Sequence, residues 1–570
     1  MTAVRPGREA LLLVVACALL YLSGAGEIPF YTRGEPREGL VVREMVRGGP
    51  WLVPSRPGGE PTRKPPLYYW AAAVAWRALP DAPELALRLP SAAAATAAVL
   101  AVWATARVVL GAAAGLPAAL VLATTFEWTR AATSARVDMV LAATLTAVLC
   151  AWALALAGRT RAWLAAGVGG AALATLAKGP VALVLPLLAA LGLRASGQRI
   201  RALRPALVLA LAAALAGAWY AAAVLHGGRA FVDVVARENL LRFVDAEDAG
   251  VGHAHGAGYL VALGLVGLLP WTPLLPLFAA PLTERPRRAA VGLAGAWVAT
   301  GFVFFALAAG KRSVYLLPLH PAIALLAGAA VATPPAAGRL RRIARIGGAL
   351  YAPAGVALAA AALALAAGLD APPALRTLLR PADAVAASAL ADAARDARDW
   401  LAAAAVLTLL AVPFVVRATR GAEWRRLIVL VAMLFVAWTA TFARLHPAIA
   451  RTRSLRDFMA TVGRTVPEDA RLYAFFPPDP GLRFYAPRDL QPWPTDGRVA
   501  GGYLLLWEDE WQRLRDPGGR PLEVLSVSAA RVPRRGHLAL VTAPQGPLRT
   551  VGAPSRPPEL PGLRTGNRPR

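Results

Sequence analysis

The chain has 570 residues, 57% of them hydrophobic, with a mean hydropathy of +0.50 and a formal net charge of +27. A soluble domain of this length has no use for such long runs of Ala, Leu and Val, so composition places the chain among membrane proteins. The basic excess does not point to nucleic acid, because the arginines sit in short loops between apolar stretches and in the C-terminal tail.

Apolar runs of about 17 to 25 residues bounded by charge or Pro/Gly predict about thirteen spans. Their cores fall at 9–26, 88–106, 112–127, 138–157, 162–177, 179–193, 205–225, 257–280, 289–309, 313–333, 346–368, 400–416 and 427–443. The first, with its basic flank and the weak cleavage-like Gly24-Ala25-Gly26, reads as a retained signal anchor. Cys17 and Cys150 lie inside apolar runs and read as small buried hydrophobes.

Arginine sets the orientation. Arg5 and Arg8, Arg107, Arg159 and Arg161, residues 194–204, 285–288, 339–345 and 417–426 occupy alternate loops, which are expected to be cytoplasmic together with the N-terminus. Residues 27–87, 128–137, the turn at Lys178, 226–256, the turn at 310–312, 369–399 and the chain beyond about 444 then face outward. The expected organisation is a transmembrane domain over 1–443 with a first outer loop at 27–87, an extracytoplasmic α/β domain over 444–543 and a disordered tail over 544–570.

Within the first outer loop, Glu38 to Arg47 alternates Val41, Val42, Met45 and Val46 with Arg37, Glu38, Arg43, Glu44 and Arg47, the pattern of a helix lying in the interface. That pattern puts Glu38 on the solvated face. Leu67 to Leu79 follows with Tyr68, Tyr69, Trp70 and Trp76, which favour the headgroup level. In the tail, helices are expected at Ser454–Val466 and Glu508–Arg515, and strands at 471–476, 503–507, 523–527 and 537–542.

Only three of the 61 basic residues are lysines: Lys64, Lys178 and Lys311. All three fall in outward segments beside a membrane boundary, where a compact ammonium can meet a lipid phosphate; the plainer reading is that they snorkel to the interface. Glu35 and Glu38 open the first outer loop, and Asp138 starts a span within Ser134-Ala135-Arg136-Val137-Asp138. A carboxylate there could serve as a general base, while the structural alternative for Asp138 is a helix cap or an ion pair with Arg136. His253 and His255 lack the further ligands of a zinc site. With no Gly-rich phosphate loop, a nucleotide-sugar donor is not supported.

These residues sit in a recognisable order. The stretch GEPREGLVVREMVRGGPWLVPSRPGGEPTRKPPLYYWAAAVAW, then ALRLPSA, ARVDMVLA, AKGPVALVLPLL, RENLLRF, GLLPWTPLLP and GKRSVYLLPLHPAIALL resembles bacterial glycosyltransferases similar to protein O-mannosyltransferases and aminoarabinose lipid A transferases. These are grouped as glycosyltransferase family 39. The resemblance spans about residues 5 to 335. It implies an all-α polytopic GT-C membrane fold in the inner cell membrane, a sugar donor linked to polyprenyl phosphate, a lipid, protein or glycan acceptor, and inverting displacement on the extracytoplasmic face.

The resemblance also assigns roles. The acidic pair that usually opens the first loop reads Gly34-Glu35 here, so the catalytic role passes to Glu35, with Asp138 as the second acid. Lys64 matches the family's Lys-Pro lysine near the lipid phosphate, and Lys178 in AKGP, Arg242 in LLRF and Lys311 in GKRS are carried over as phosphate-binding or site-lining groups. Metal-bearing members have a Glu before that lysine and a His in the loop matching RENLLRF. This chain has Arg63 and Asn239, so no metal or other cofactor is expected. A transporter or flippase of a lipid-linked substrate is the competing reading. It is less favoured because span interiors are nearly free of charge, whereas transporters put ionisable groups near the midplane.

Overall fold

The computed structural model describes residues 6–159, 162–236, 256–283, 289–308, 310–333, 338–369, 381–494, 501–532, 535–546 and 548–550. It resolves into two compact units: Met1–Glu27, Glu38–Asp370 and Ala391–His446 form the first, and Ile28–Arg37, Ala371–Leu390 and Pro447–Arg570 the second.

The first unit is helical, as apolar segments must be where no water can satisfy backbone N–H and C=O groups. Its leading helices are α1 (Pro6–Leu22), α2 (Gly34–Val46, shared with the second unit), α3 (Leu67–Ala78), α4 (Pro83–Val109), α5 (Ala112–Ala123), α6 (Phe126–Ala132), α7 (Val137–Leu156), α8 (Ala162–Lys178), α9 (Val181–Ala195) and α10 (Pro205–Ala236). Among the described residues eight helices are long and apolar enough to cross a membrane, or nine if a bent pair counts as one span. The remaining expected spans, α1, α5, α8 and α9, are 17, 12, 17 and 15 residues long. These fall short of the ~20 residues that cross a bilayer untilted, so the expected count of thirteen is not established.

The bent pair corrects the reading of 257–280 as one run. Gly258–Gly267 and Thr272–Thr283 meet at 104°, with Pro270 and Pro273 at the break. Proline supplies no amide hydrogen and clashes with the preceding turn, so a helix does not run straight through two of them.

Helix α7 lies at the centre of this unit. It is apolar all round and mostly buried, packing against α4, α8, α9 and the 3₁₀ segment Ser313–Leu319. Small residues let backbones approach, as lipid-embedded helices require. A Cβ on Gly170 of α8 would lie 2.9 Å from the Thr144 carbonyl of α7, and one on Gly328 would lie 2.8 Å from the Ala114 carbonyl of α5. Helix Arg339–Ala366, by contrast, keeps most of its apolar surface open, as a lipid-facing helix does. Short connections force neighbouring helices antiparallel. The start of α7 and the end of α8 therefore meet at one end of the bundle, with the α8–α9 turn at Gly179 (φ +94°) beside them.

Helix α2 is two-faced only in part. Val41, Val42 and Met45 are buried as the pattern predicts, but so are Glu38 and Arg43 on the face expected to be solvated. Those two groups are taken up inside the protein rather than by water, while Arg37 and Arg47 stay exposed.

The second unit is α/β. Strands β1 (Leu472–Ala474), β2 (Gln491–Pro492), β3 (Tyr503–Trp507), β5 (Val524–Val532) and β6 (Gly536–Thr542) form a sheet in the order β2-β1-β3-β6-β5. The first three strands are parallel, while β6 runs antiparallel to both β3 and β5. Strand β3 is an unbroken apolar run because both faces are covered. Leu505 and Trp507 join a core with Phe458, Met459 and Val462 of helix Arg456–Thr465, and Leu504 and Leu506 join Leu514 and Val541 on the other side. Three details depart from expectation. The expected helix over 508–515 ends at Trp511, and β4 (Leu514–Arg515) follows it. A helix at Pro480–Tyr485, capped by Asp479 accepting from the Leu482 amide at 2.9 Å, adds an element that the sequence pattern does not predict. Strand β7 (Arg549–Thr550) pairs with β4 inside the stretch expected to be disordered.

Candidate active site

At the common end of α7 and α8, Asp138 occupies the first turn of α7 and Lys178 the last position of α8. An anion at a helix N-terminus and a cation at a C-terminus each complement the helix dipole, so the two ends present opposite charges at close range. Lys178 Nζ donates to Asp138 Oδ1 and lies 5.2 Å from the centroid of the Tyr315 ring. The charges of Lys64 and Arg136 also bear on Asp138. Asp138 thus takes Lys178, forty positions away, as its hydrogen-bonded partner, in place of the neighbouring Arg136 that the sequence suggests.

A second pair joins α2 to the following loop and α3. Lys64 Nζ donates to Glu38 Oε1 at 2.6 Å, and Tyr69 Oη donates to Glu38 Oε2 at 2.5 Å. The Lys64 carbonyl accepts from Thr62 Oγ1 at 2.8 Å, which fixes the loop carrying the lysine. Glu38, expected on the solvated face, is instead the buried acid that orients Lys64.

A third pair has no counterpart among the sequence expectations. Arg130 of α6 places Nε 2.8 Å and Nη2 2.5 Å from the two Glu127 carboxylate oxygens, and Nη2 also donates to Ser313 Oγ at 3.1 Å. The available signal is the spacing Glu-x-x-Arg in the short helix α6, which sets the two side chains on one helical face.

The three pairs share an asymmetry. Side-chain exposure is 6% for Glu38, 4% for Glu127 and 16% for Asp138, against 20% for Lys64, 35% for Arg130 and 26% for Lys178. Each carboxylate is packed inward and each cation keeps an open side. Lys311 is buried and donates to the Ala308 carbonyl at 2.8 Å, while Arg136 and Arg312 each hold a buried Nε without a hydrogen-bond partner among the described residues. Beside the three paired cations, Arg136 lies two residues before Asp138, and Lys311 and Arg312 immediately precede Ser313. Partly desolvated cations of this kind, each with an open side, are suited to meet an anion.

Of the residues singled out in sequence, Lys64, Asp138, Lys178 and Lys311 all lie in the first unit. Glu35 is buried in the first turn of α2, within the segment Ile28–Arg37 of the second unit. Arg242, Asn239, His253 and His255 lie outside the described residues. Among the described residues no cluster of three or more His, Cys, Asp and Glu side chains could hold a metal ion.

Residues 63–220 match the dolichyl-phosphate-mannose-protein mannosyltransferase family. The chain is 26% identical over 325 residues to the undecaprenyl phosphate-alpha-4-amino-4-deoxy-L-arabinose arabinosyl transferase 2 of Proteus mirabilis, covering 56% of this chain and 58% of that protein. It is 28% identical over 328 residues to the corresponding transferase of Pseudomonas aeruginosa, covering 56% and 59%. The match thus spans less than two thirds of either relative. The crystal structure of ArnT from Cupriavidus metallidurans bound to undecaprenyl phosphate superposes with a TM-score of 0.74 at 21% identity, over 95% of this chain and 98% of that one. Residues 63–220 carry the mannosyltransferase family pattern, and the chain around them is a multi-span membrane protein with the GT-C fold seen in ArnT.

Proposed function

We propose that the chain transfers a sugar from a polyprenyl-phosphate-linked donor to a lipid, protein or glycan acceptor on the extracytoplasmic face of the inner cell membrane. The observation that carries this reading is a set of three partly exposed cations, Lys64, Arg130 and Lys178, each held by a less exposed carboxylate. The arginine-rich alternate loops support a cytoplasmic N-terminus and an extracytoplasmic C-terminal domain.

In the proposed displacement, the bond from the anomeric carbon to the donor's phosphate oxygen breaks. The acceptor's nucleophilic atom bonds to that carbon from the opposite face, and its proton passes to a carboxylate. Lys64 and Lys178 neutralise the charge gathering on the departing phosphate, where partial exclusion of water strengthens each contact. Asp138 and Glu38 already accept hydrogen bonds from those lysines and serve to aim them. The base is Glu35, the acid that the family resemblance assigns. The donor to try first is undecaprenyl phosphate-α-4-amino-4-deoxy-L-arabinose, the compound in the relatives' names.

The test uses the full-length chain in detergent with that donor and an envelope extract as acceptor. Wild type transfers the sugar; Glu35→Gln, Asp138→Asn and Lys64→Ala insert normally and lose turnover. Wild-type turnover in all three variants rules the reading out.

A further inference from the structure

We infer that Arg130 is an additional phosphate-binding group of this site, gripping the phosphate of a lipid substrate, with Glu127 and Ser313 as its positioning residues. This inference rests on the lipid-phosphate reading above and adds a residue for which the sequence patterns assign no role.

A guanidinium carries five N–H donors in a rigid plane. Two reach the oxygens of Glu127, and a third reaches Ser313 Oγ. Nη1, with the remaining two, has no hydrogen-bond partner among the described residues, and the side chain is 35% exposed. Nη1, on the side away from Glu127, is thus available while Nε and Nη2 are held. Holding one edge on a carboxylate of 4% exposure sets the plane of the other before any ligand arrives.

Stability alone is a weak reason for this arrangement. A solvent-exposed i,i+3 pair contributes only a few tenths of a kcal/mol, and burying its acid costs desolvation that the pair need not return. The acid is nevertheless packed tightly: a Cβ on Gly267 would lie 3.2 Å from Glu127 Cβ, and the Phe126 amide donates to the Leu269 carbonyl at 2.8 Å. Helix α6 is thereby pinned beside the break between Gly258–Gly267 and Thr272–Thr283.

Position supplies the second argument. Arg130 holds Ser313, and Lys178 lies over the ring of Tyr315 two residues further along the same 3₁₀ segment. A planar fork and a compact ammonium flank one short element, an arrangement suited to a tetrahedral phosphate that offers several oxygens at once. The phosphate could belong to the polyprenyl donor or to a phosphorylated lipid acceptor, and the chemistry of recognition is the same for both.

The test titrates the full-length chain in detergent with two phosphate probes and their dephosphorylated controls: undecaprenyl phosphate against undecaprenol, and phosphorylated against dephosphorylated lipid A. Arg130→Gln is expected to weaken one phosphate probe by about tenfold or more, the loss of a charge-assisted contact, with the matching control unchanged. Loss with undecaprenyl phosphate assigns Arg130 to the donor, and loss with phosphorylated lipid A assigns it to the acceptor. Arg130→Lys keeps the charge on Glu127, protecting the fold, and recovers only part of the affinity because the fork is gone. Ser313→Ala loosens binding about threefold by freeing the plane. If Arg130→Gln and Arg130→Lys bind both probes like wild type while Lys64→Ala loses undecaprenyl phosphate, the role of Arg130 is refuted and the phosphate site stands. If wild type binds neither phosphate probe, both readings fall.

Discussion

Replacing Lys64 by Met separates two roles that one lysine performs. The variant removes the ammonium from a Glu38 side chain of 6% exposure, leaving that carboxylate with Tyr69 Oη at 2.5 Å. Breaking a fully buried ion pair costs about 3–5 kcal/mol. Lys64 keeps 20% of its side chain exposed and Tyr69 remains in place, so solvent screening and the surviving hydrogen bond reduce the expected loss to about 1–3 kcal/mol. Sugar transfer should fall further, by about 10²–10³ in kcat, as when a group facing developing charge is removed. The double variant Lys64→Met/Glu38→Gln tells the two apart. A neutral amide oxygen still accepts from Tyr69, so stability should return to within about 1 kcal/mol of wild type while transfer stays low. The measurements are denaturation of the full chain in detergent and transfer from the undecaprenyl-phosphate donor. Recovered transfer in the double variant would mean that Lys64 only neutralises Glu38, and the leaving-phosphate role would be lost.

Asp138→Asn releases Lys178 from its carboxylate on α7, so kcat should drop by about tenfold or more, and Lys178→Met should drop it further because the cation itself goes; equal rates in wild type and Asp138→Asn contradict the positioning role. Gly170→Val adds a branched side chain where even a Cβ lies 2.9 Å from the Thr144 carbonyl. It should destabilise the chain by about 1–3 kcal/mol and lower transfer by parting α8 from α7, read by thermal denaturation and the same assay. In the second unit, burial pushes the Glu510 carboxyl up to about 7, from an ordinary value of 4.5. The folded form therefore holds a proton that the unfolded form has lost between these values, and stability falls as pH rises through that window. Glu510→Gln should flatten the slope between about pH 5 and 7 and exceed wild type in stability at about pH 8, since ionisation no longer opposes burial; melting curves that move in parallel across that range would count against it.

The membrane class, the places of most apolar helices and the rarity of lysine were legible in the sequence, because span length and composition are local properties. The 3.6-residue pattern also placed α2 and the apolar face of Val41, Val42 and Met45. The same pattern misplaced Glu38, and the reason is physical. Amphipathic periodicity assumes that the polar face meets water, and here Glu38 on that face meets Lys64 and Tyr69 instead. Asp138 repeats the lesson: sequence proximity offered Arg136 as a partner, but antiparallel packing of α7 on α8 delivers Lys178. The Glu127–Arg130 pair was visible as a spacing, yet nothing local showed that its acid is buried or that Ser313, 183 positions away, holds its plane. The sequence by itself determined that the chain is a multi-span membrane protein and which residue types carry charge at the ends of its apolar segments. Only the tertiary structure decided which acid aims which cation, because that choice depends on how antiparallel helices bring distant ends together and on which side chain the packing leaves open.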